Sequence, residues 1–417
     1  MKVLVVGGGG REHAIVWKLA KSPQIDEIYA APGNPGIGRL ATCVNIAAED
    51  IPGLAEFAKK NNIDLTVVGP EAPLVAGIVD EFKNRGLTVF GPDKAAAQIE
   101  GSKIFSKNLM KKYNIPTADY KVFKDPNDAI SYIDTAPMPI VVKADGLAAG
   151  KGVIIAPDRS TAKEAVKTMM IDKAFGKSGS CIVLEEYLEG PEVTVLAFCD
   201  GKRAVPMVSS RDHKRVFDNN KGPNTGGMGA VSPAPAYTPE IAKIVERDII
   251  QRTIDAMASE GAPFQGVLYT GLMITKNGPK VLEYNCRFGD PEAQVVIPRL
   301  KTDLVEVMQA VIDGDLTNAK IEWKSEVAVC VVIASGGYPG HYETGKVISG
   351  LDDAEKNGSI VFHAGTAEKD RKIITAGGRV LGVTALGKDV DEARKLAYES
   401  VSKIRFEGMH YRKDIGL

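Results

Sequence analysis

Three polar side chains at alternating positions, Glu283, Asn285 and Arg287, are the residues of this sequence best suited to chemistry. They follow the apolar pair Val281–Leu282, which begins a predicted strand, and side chains two residues apart in a strand share one face. A carboxylate and an amide oxygen suit Mg²⁺ that bridges a polyphosphate, because Mg²⁺ takes one or two carboxylates together with phosphate oxygens and water. A neighbouring guanidinium would stabilise the charge that develops in phosphoryl transfer. A polar strand face with no ligand is the simpler alternative.

A loop of small residues between two β-branched runs is the second candidate for phosphate chemistry. The runs predict the strands of a hairpin, and the loop between them is too long for a tight turn. Its glycines would let backbone N–H groups approach phosphate oxygens, and two lysines would add positive charge. A surface hairpin with solvated lysines is the alternative. The glycines are Gly146, Gly150 and Gly152, and the lysines are Lys143 and Lys151.

An acidic bend follows a predicted strand at residues 184–192. Such a bend can offer backbone donor and acceptor groups to an adenine edge, and the Glu192 carboxylate can accept from ribose hydroxyls. A solvated acidic turn explains the same residues without a ligand, so the interpretation depends on structural context.

Two later loops, residues 209–215 and 222–230, are dense in hydrogen-bonding groups. Asp212 can pair with a substrate ammonium, or it can form an ordinary surface ion pair with one of the two basic residues that follow it. His213 is either a general base or a solvated loop histidine. Both loops are too elaborate for simple connectors.

The first hundred residues predict a parallel, doubly wound sheet, because short apolar runs alternate with helical patterns. Ligands of such sheets lie at the carboxyl ends of the strands, where glycine clusters occur at residues 7–10, 33–36 and 69–73. The predicted strands span residues 3–6, 27–30, 65–68 and 87–90, with a helix at about 74–83.

The first glycine turn tests a nicotinamide-binding interpretation. Gly7 and Gly9 fit the first half of the dinucleotide fingerprint, but Glu12 occupies the third glycine position. The second strand ends in Ala31–Pro32, with no acidic residue for a ribose hydroxyl. Both departures weigh against a dinucleotide. A single phosphate on the Gly8–Arg11 turn and a tight turn without a ligand remain as alternatives.

The rest of the sequence predicts two further parts. A helix that begins after Ser102 leads into a small α+β lobe that carries the glycine loop, and a helix at about 239–259 belongs to a larger lobe. The last ninety or so residues show no catalytic constellation, so we expect a structural role for them. Their predicted strands span residues 326–334, 359–363, 372–375 and 379–386, followed by a helix at about 390–404.

Composition excludes several classes of protein. The chain has 417 residues, which predicts about three domains, and its net charge of −1 gives no bulk attraction to nucleic acid or to an anionic membrane. It contains no apolar stretch of about 18 residues, and its first apolar run is too short for a signal peptide. The five cysteines lack CxxC spacing, which argues against a disulfide framework or a zinc site and favours a reducing cytoplasm.

Taken together in this order, five segments resemble the ATP-grasp ligases, and specifically the glycinamide ribonucleotide synthetase family. The resemblance covers essentially the whole chain. Each segment is a weak signal alone, whereas five in register are highly specific. The segments span residues 8–14, 143–153, 212–215, 222–230 and 285–292.

The resemblance implies ligation of glycine to 5-phosphoribosylamine in de novo purine biosynthesis, with ATP converted to ADP and phosphate through a glycyl phosphate. It implies Mg²⁺ or Mn²⁺ and a cytoplasmic monomer. The implied fold has an N-terminal doubly wound parallel sheet at 1–101, a central two-lobed ATP-grasp domain at 102–324 and a small C-terminal α+β domain at 325–417. The smaller lobe of the central domain, a lid, would span about 118–189.

The resemblance also implies residue roles. ATP would contact Lys103, Lys143, Gly150, Lys151, Glu185, Glu186, Tyr187, Leu188 and Glu192. The amino-sugar phosphate and glycine would contact Gly9, Gly10, Arg11, Glu12, Asn34, Pro35, Gly36, Asp212, Lys214, Asn224, Thr225, Gly226 and Arg287. Glu283 and Asn285 would hold the metal, and the catalytic groups would be Arg287, Lys143 and Asp212.

Two parts of the sequence depart from the family pattern. Residues 191–194, Pro-Glu-Val-Thr, replace a more usual Glu-Glu-Ala-Ser, but Glu192 keeps its place, so ribose binding is little affected. Arg211 stands where a glutamine is common, which leaves the contacts beside glycine open. Three alternatives remain: an ATP-grasp ligase or carboxylase acting on another acid in purine metabolism, an NAD-dependent oxidoreductase, and a nucleotide-binding protein without catalysis.

Overall fold

The computed structural model describes residues 1–147 and 152–417. Two of the expected ATP contacts, Gly150 and Lys151, therefore lie outside the described residues. Within the described ranges, no helix has the length and apolar character needed to cross a membrane.

The N-terminal strands form the predicted parallel sheet, in the order β3-β2-β1-β4-β5. Its central strand is buried along Val3–Gly7, as expected of a parallel sheet covered on both faces. The helix predicted at 74–83 is instead two helices, because Gly77 adopts a left-handed φ of 102° between them. The elements are β1 (Lys2–Gly7), α1 (Gly10–Leu19), β2 (Glu27–Pro32), β3 (Thr42–Cys43), α2 (Ile51–Lys60), β4 (Leu65–Val68), α3 (Glu71–Ala76), α4 (Ile78–Asn84), β5 (Val89–Phe90) and α5 (Gln98–Gly101).

The small lobe is an antiparallel sheet in the order β6-β9-β7-β8, covered by two helices. The predicted hairpin is confirmed, because β7 pairs with β8 from Ile140 opposite Ala156 to Lys143 opposite Val153. The helix that leads into the lobe begins where the Ser102 hydroxyl accepts from the Phe105 amide. The elements are α6 (Lys103–Lys112), β6 (Tyr120–Phe123), α7 (Pro126–Ile133), β7 (Ile140–Ala144), β8 (Val153–Ala156), α8 (Arg159–Val166) and β9 (Ile182–Glu186).

The large lobe is built on the sheet β11-β10-β16-β17. The helix predicted at 239–259 is present, with a π-helical stretch at Val245–Gln251 between its two α-helical parts. The strand that carries Glu283 ends at Asn285. The elements are β10 (Glu192–Asp200), β11 (Ala204–Pro206), β12 (Arg211–Asp212), β13 (Arg215–Phe217), β14 (Lys221–Asn224), β15 (Gly229–Ser232), α9 (Pro239–Ile244), α10 (Arg252–Ser259), β16 (Gln265–Thr275), β17 (Gly278–Asn285), α11 (Ala293–Val296) and α12 (Leu304–Asp313).

The C-terminal sheet runs β12-β15-β18-β22-β19, so it includes two strands from the middle of the chain. Asp212 stands at the end of β12 and is thus positioned by this sheet. The remaining elements are β18 (Val327–Ser335), α13 (Leu351–Lys356), β19 (Ile360–His363), β20 (Thr366–Lys369), β21 (Lys372–Thr375), β22 (Arg379–Gly387), α14 (Val390–Val401) and β23 (Met409–His410).

Helix α1 packs against β19, which joins the two ends of the chain. The backbone N–H of His363 donates to Nδ1 of His13 over 2.8 Å, and the His13 ring meets the Phe362 ring edge-on at 5.6 Å between centroids. Burial lowers the pKa of His13 to about 3 and that of His363 to about 4. Both histidines are therefore neutral in the folded protein at pH 7.

This junction makes stability depend on pH. In the unfolded chain each histidine has a pKa of about 6.5. The unfolded state thus binds more protons below that pH, and the free energy of unfolding falls as the pH falls from about 6.5 towards 4. We expect a loss on the order of 2 kcal/mol per histidine between pH 7 and pH 5. Urea unfolding should show this loss in the wild type and a shallower pH dependence in a His13→Gln/His363→Gln variant. Equal slopes would contradict the assignment.

Candidate active site

A cavity of about 540 Å³ lies where the two lobes meet the N-terminal and C-terminal sheets. It brings together side chains more than 270 positions apart in the sequence. The predicted site residues that line it are Arg11, Lys103, Lys143, Glu185, Glu186, Tyr187, Leu188, Glu192, Asp212, Lys214, Asn224, Thr225, Gly226, Glu283, Asn285 and Arg287.

Glu283 and Asn285 project from one face of β17 into the cavity. Burial alone would raise the pKa of Glu283, but the nearby cations of Lys214, Lys143 and Lys103 outweigh it and hold that pKa below its ordinary value. The carboxylate is therefore ionised. Among the described residues, no group of three or more His, Cys, Asp or Glu side chains could hold a metal ion. A divalent cation on this pair would accordingly need further oxygen ligands, as Mg²⁺ bound with a polyphosphate has.

Arg287 lies beyond the end of β17, and two carboxylates fix its guanidinium. Nε is 3.1 Å from Glu71 and Nη2 is 3.0 Å from Glu100, while Nη1 donates to the Phe288 carbonyl. Glu100 also accepts from the Cys286 amide over 2.7 Å. The guanidinium is thus preorganised at the cavity wall. Sequence reasoning missed both carboxylates, although the glycine cluster at 69–73 contains Glu71.

Glu185 holds two buried lysines through one oxygen of its carboxylate. Its Oε2 lies 3.0 Å from Nζ of Lys107 and 2.9 Å from Nζ of Lys143, and all three side chains are less than a tenth exposed. Lys143 also donates to the Leu282 carbonyl, which ties β7 to β17. Burial lowers the pKa of Lys107 to about 8, against the opposing effect of Glu185. Glu185 also lines the cavity, and its Oε1 has no hydrogen-bond partner among the described residues, so the ATP contact expected of it stays a prediction. Lys107 was not predicted.

Lys103 is the second cation expected at the phosphates. Its Nζ donates to the carbonyl of Gly146, at the start of the glycine loop, over 3.1 Å. Within the described residues this lysine has no carboxylate within 4.0 Å, so its charge is available to the cavity.

Lys214 stands between two cavity carboxylates, 3.7 Å from Glu192 and 3.6 Å from Glu283. Asp212 has no ion-pair partner within 4.0 Å among the described residues, which rules out the surface ion pair considered above. Burial raises the pKa of Asp212 to about 7, and Lys214 partly offsets this effect. An incoming ammonium would favour the ionised carboxylate.

His213 contradicts both sequence interpretations. Its side chain is buried, it does not line the cavity, and its ring nitrogens have no partner among the described residues. Burial lowers its pKa to about 4. It is therefore neither a solvated loop residue nor placed as a general base.

Of the N-terminal glycine turn, only Arg11 lines the cavity. The amide of Gly9 donates to Glu12 over 2.6 Å, and the amide of Arg11 donates to Asp290 over 3.2 Å, so carboxylates already occupy two of the backbone donors of this turn. The Asn34 amide group donates to the carbonyls of Gly8 and His363. The expected substrate residues outside the cavity lining are Gly9, Gly10, Glu12, Asn34, Pro35 and Gly36.

Three family models together match most of the chain. They are the N domain of phosphoribosylglycinamide synthetase at residues 1–100, its ATP-grasp (A) domain at 101–293 and its C domain at 328–417. A phosphoribosylamine–glycine ligase from Caldanaerobacter subterraneus subsp. tengcongensis is 52% identical over 415 residues, covering 100% of this chain and 99% of the relative. The ligase of that name from Vibrio vulnificus is 53% identical over 420 residues, covering 100% and 98%.

A solved structure agrees with these relatives. The crystal structure of the phosphoribosylamine–glycine ligase from Thermotoga maritima superposes with a TM-score of 0.85 at 36% identity, and each chain is covered completely. The predicted fold class, with its parallel N-terminal sheet, ATP-grasp centre and α+β C-terminal part, is confirmed.

The buried charges predict unequal effects on stability. Glu185→Leu leaves two buried lysines without their carboxylate, so we expect a loss of about 3 to 5 kcal/mol in the free energy of unfolding. Lys107→Met leaves Glu185 paired with Lys143 and should cost less, about 1 to 2 kcal/mol. Urea unfolding monitored by circular dichroism measures both. A larger loss for Lys107→Met than for Glu185→Leu would contradict this arrangement.

Proposed function

The chain belongs to the phosphoribosylglycinamide synthetase family, and from that premise we propose that it joins glycine to 5-phosphoribosylamine while ATP becomes ADP and phosphate. The observation that carries the proposal is the convergence, in one cavity, of an ionised carboxylate–amide pair, a clamped guanidinium and several lysines. These are the groups that activation of a carboxylic acid by ATP requires.

ATP would lie between the two lobes. Lys103 and Lys143 supply positive charge for its phosphates, and both stand beside the strands that carry the glycine loop. The backbone at Glu186–Leu188 would meet the adenine edge, and Glu192, whose side chain is 44% exposed, would accept from the ribose.

The metal residues fit a divalent cation. The described lining carries seven basic and nine acidic side chains, so it offers no excess of basic groups to a polyphosphate. Mg²⁺ or Mn²⁺ on Glu283 and Asn285 would neutralise phosphate charge and orient the γ-phosphoryl group. The side chain of Glu283 is about a third exposed, and its Oε1 contacts Lys214, which offers no competing oxygen.

The chemistry follows from the weakness of a carboxylate as an acyl donor. A glycine carboxylate oxygen attacks the γ-phosphorus, the bond to ADP breaks, and glycyl phosphate forms. The amine of 5-phosphoribosylamine then attacks the carbonyl carbon, the bond to phosphate breaks, and the amine loses a proton. Arg287 faces the charge that develops in both steps, and it is preorganised because Glu71 and Glu100 hold it.

Two further features suit this reaction. Asp212 would hold the glycine ammonium, which keeps the carboxylate directed at the phosphate. Leu147, Val153 and Ile155 give the small lobe an apolar surface facing the cavity, which would keep water from the acyl phosphate. The proposal also includes a monomer that acts in the cytoplasm, which fits the five cysteines that the structure shows as free thiols.

An omission assay tests the proposal. The complete mixture of protein, ATP, Mg²⁺, glycine and 5-phosphoribosylamine should give ADP and glycinamide ribonucleotide in equal amounts. Leaving out glycine, or replacing it with another small carboxylic acid, should stop product formation. Product formed from another acid but not from glycine would favour a different ATP-grasp ligase, and unconsumed ATP in the complete mixture would refute the proposal.

Glu283→Ala should abolish turnover while leaving the fold intact. The carboxylate is half-buried in the cavity wall. Among the described residues it makes no hydrogen bond, so the fold does not depend on it. We expect kcat/KM to fall by at least about 10²–10³-fold, with an unchanged circular dichroism spectrum. Glu368→Ala, on the exposed β20–β21 hairpin, is the matched control and should retain full activity. Substantial ADP formation by Glu283→Ala would exclude this metal site.

Asp212→Asn should act on glycine specifically. The substitution keeps the shape of the side chain and removes the charge that would pair with the ammonium. The KM for glycine should therefore rise on the order of 10- to 100-fold, while the KM for ATP changes little. Steady-state kinetics with each substrate varied in turn separates these values. An increase confined to the KM for ATP would place Asp212 elsewhere.

A further inference from the structure

Arg379, at the start of β22, reaches into the cavity from the C-terminal sheet. No sequence motif marks this part of the chain as functional, and it was expected to be structural. The structure instead contributes this guanidinium to the wall of the site.

Only one nitrogen of Arg379 is engaged by the described residues. Its Nη1 donates to the carbonyls of Gly226 over 2.6 Å and Asp290 over 2.7 Å, and it lies 3.4 Å from the Asp290 carboxylate. The Nε and Nη2 atoms make no hydrogen bond within the part of the chain that the structure describes. Arg379 is thus held firmly along one side, while the Nε–Nη2 edge is left without a protein acceptor.

The other two cavity arginines differ in this respect. Arg287 has all three guanidinium nitrogens bonded to protein oxygens. Arg11 uses Nε on Glu12 and Nη1 on the Phe288 carbonyl, and its side chain is only 9% exposed. The side chain of Arg379 is 22% exposed. Of the three arginines that line the described part of the cavity, it is the one whose Nε and Nη2 are both left for a ligand.

Gly226 makes room for the guanidinium of Arg379. A Cβ at this position would stand 2.9 Å from Cζ of Arg379, 3.1 Å from Nη2 and 3.2 Å from Nε. The backbone of Gly226 does not have a positive φ, so its conformation alone does not call for glycine. Glycine is needed at this position because the guanidinium approaches the backbone so closely. The amide of Gly226 donates to the Tyr338 hydroxyl over 3.0 Å, so the C-terminal sheet holds the loop from two sides.

Building on the proposed function, we infer that the Nε–Nη2 edge of Arg379 binds the 5-phosphate of the amino-sugar substrate. A guanidinium edge with two parallel N–H donors matches two oxygens of a phosphate dianion. In the glycine turn after β1, where this phosphate was expected, the amides of Gly9 and Arg11 donate to carboxylates, and Gly9 and Gly10 do not line the cavity. Arg379 also contacts Asp290, which accepts from the Arg11 amide, so it stands on the N-terminal side of the cavity rather than beside the adenine bend at 186–188.

Substrate kinetics tests the inference on the full-length enzyme. Arg379→Met should raise the KM for 5-phosphoribosylamine on the order of 10- to 100-fold, with the KM values for ATP and glycine within about twofold of wild type. Arg379→Lys should recover part of the loss, because it restores a charge without the fork. Gly226→Ala, which places a methyl group 2.9 Å from Cζ of Arg379 and so displaces the guanidinium, should also raise the KM for the amino sugar.

A probe of the phosphate itself gives a second readout. Ribose 5-phosphate should inhibit the wild type competitively against 5-phosphoribosylamine, ribose should not, and Arg379→Met should lose the inhibition. The control is Tyr338→Phe, which removes the hydroxyl that accepts from Gly226 but leaves the guanidinium in place; it should retain inhibition by ribose 5-phosphate. Formation of glycine hydroxamate from ATP, glycine and hydroxylamine, which involves no sugar phosphate, should proceed in Arg379→Met.

Three results would overturn the inference. The first is an unchanged KM for 5-phosphoribosylamine in Arg379→Met. The second is that Tyr338→Phe also loses inhibition by ribose 5-phosphate, which would show that Arg379 acts by positioning the loop. The third is that Arg379→Met no longer forms glycine hydroxamate. A wild type that makes neither hydroxamate nor product would instead refute the proposed function itself.

Discussion

The clamp on Arg287 is the interaction on which the rest of the site depends. Glu71 begins helix α3 of the N-terminal part, Glu100 lies in the short helix α5, and Arg287 follows β17. A buried guanidinium without partners would be strongly destabilising, whereas one with two carboxylates is fixed in position. The pairing therefore aligns three distant parts of the chain, and it leaves a rigid positive group at the cavity wall where reaction charge would develop.

The same principle recurs at the other cavity walls. Glu185 joins Lys107 of α6 to Lys143 of β7, and Asp290 joins Arg379 of the C-terminal sheet to the start of α1. Several of the charged groups at the cavity are thus also used to bring two elements together. Because these groups are mostly buried, they interact more strongly than surface pairs do. The site and the packing of the domains are consequently stabilised by the same contacts.

Much of this was predictable from local sequence patterns. Three features follow from the side-chain periodicity of short strands. They are the parallel N-terminal sheet, the hairpin at residues 140–156 and the common strand face of Glu283 and Asn285. The break at Gly77 was not predicted, because a helical pattern continues across it and only the left-handed φ of the glycine ends the first helix.

The residues that were missed depend on contacts between distant segments. Glu100 and Lys107 lie in unremarkable helical sequence, and their roles arise only when β17 and β9 pack beside them. Arg379 has no motif around it and reaches the site because β22 joins a sheet with β12 and β15. His213 was misread for the converse reason: a polar neighbourhood in the sequence became a buried position in the fold.

The most direct test of the central claim follows an oxygen atom. Glycine labelled with ¹⁸O in its carboxylate is supplied with ATP, Mg²⁺ and 5-phosphoribosylamine, and the released inorganic phosphate is analysed by mass spectrometry. Activation of glycine as an acyl phosphate predicts one labelled oxygen in each phosphate formed. Product formation with unlabelled phosphate would show that the glycine carboxylate never attacks the γ-phosphorus, and would contradict the account.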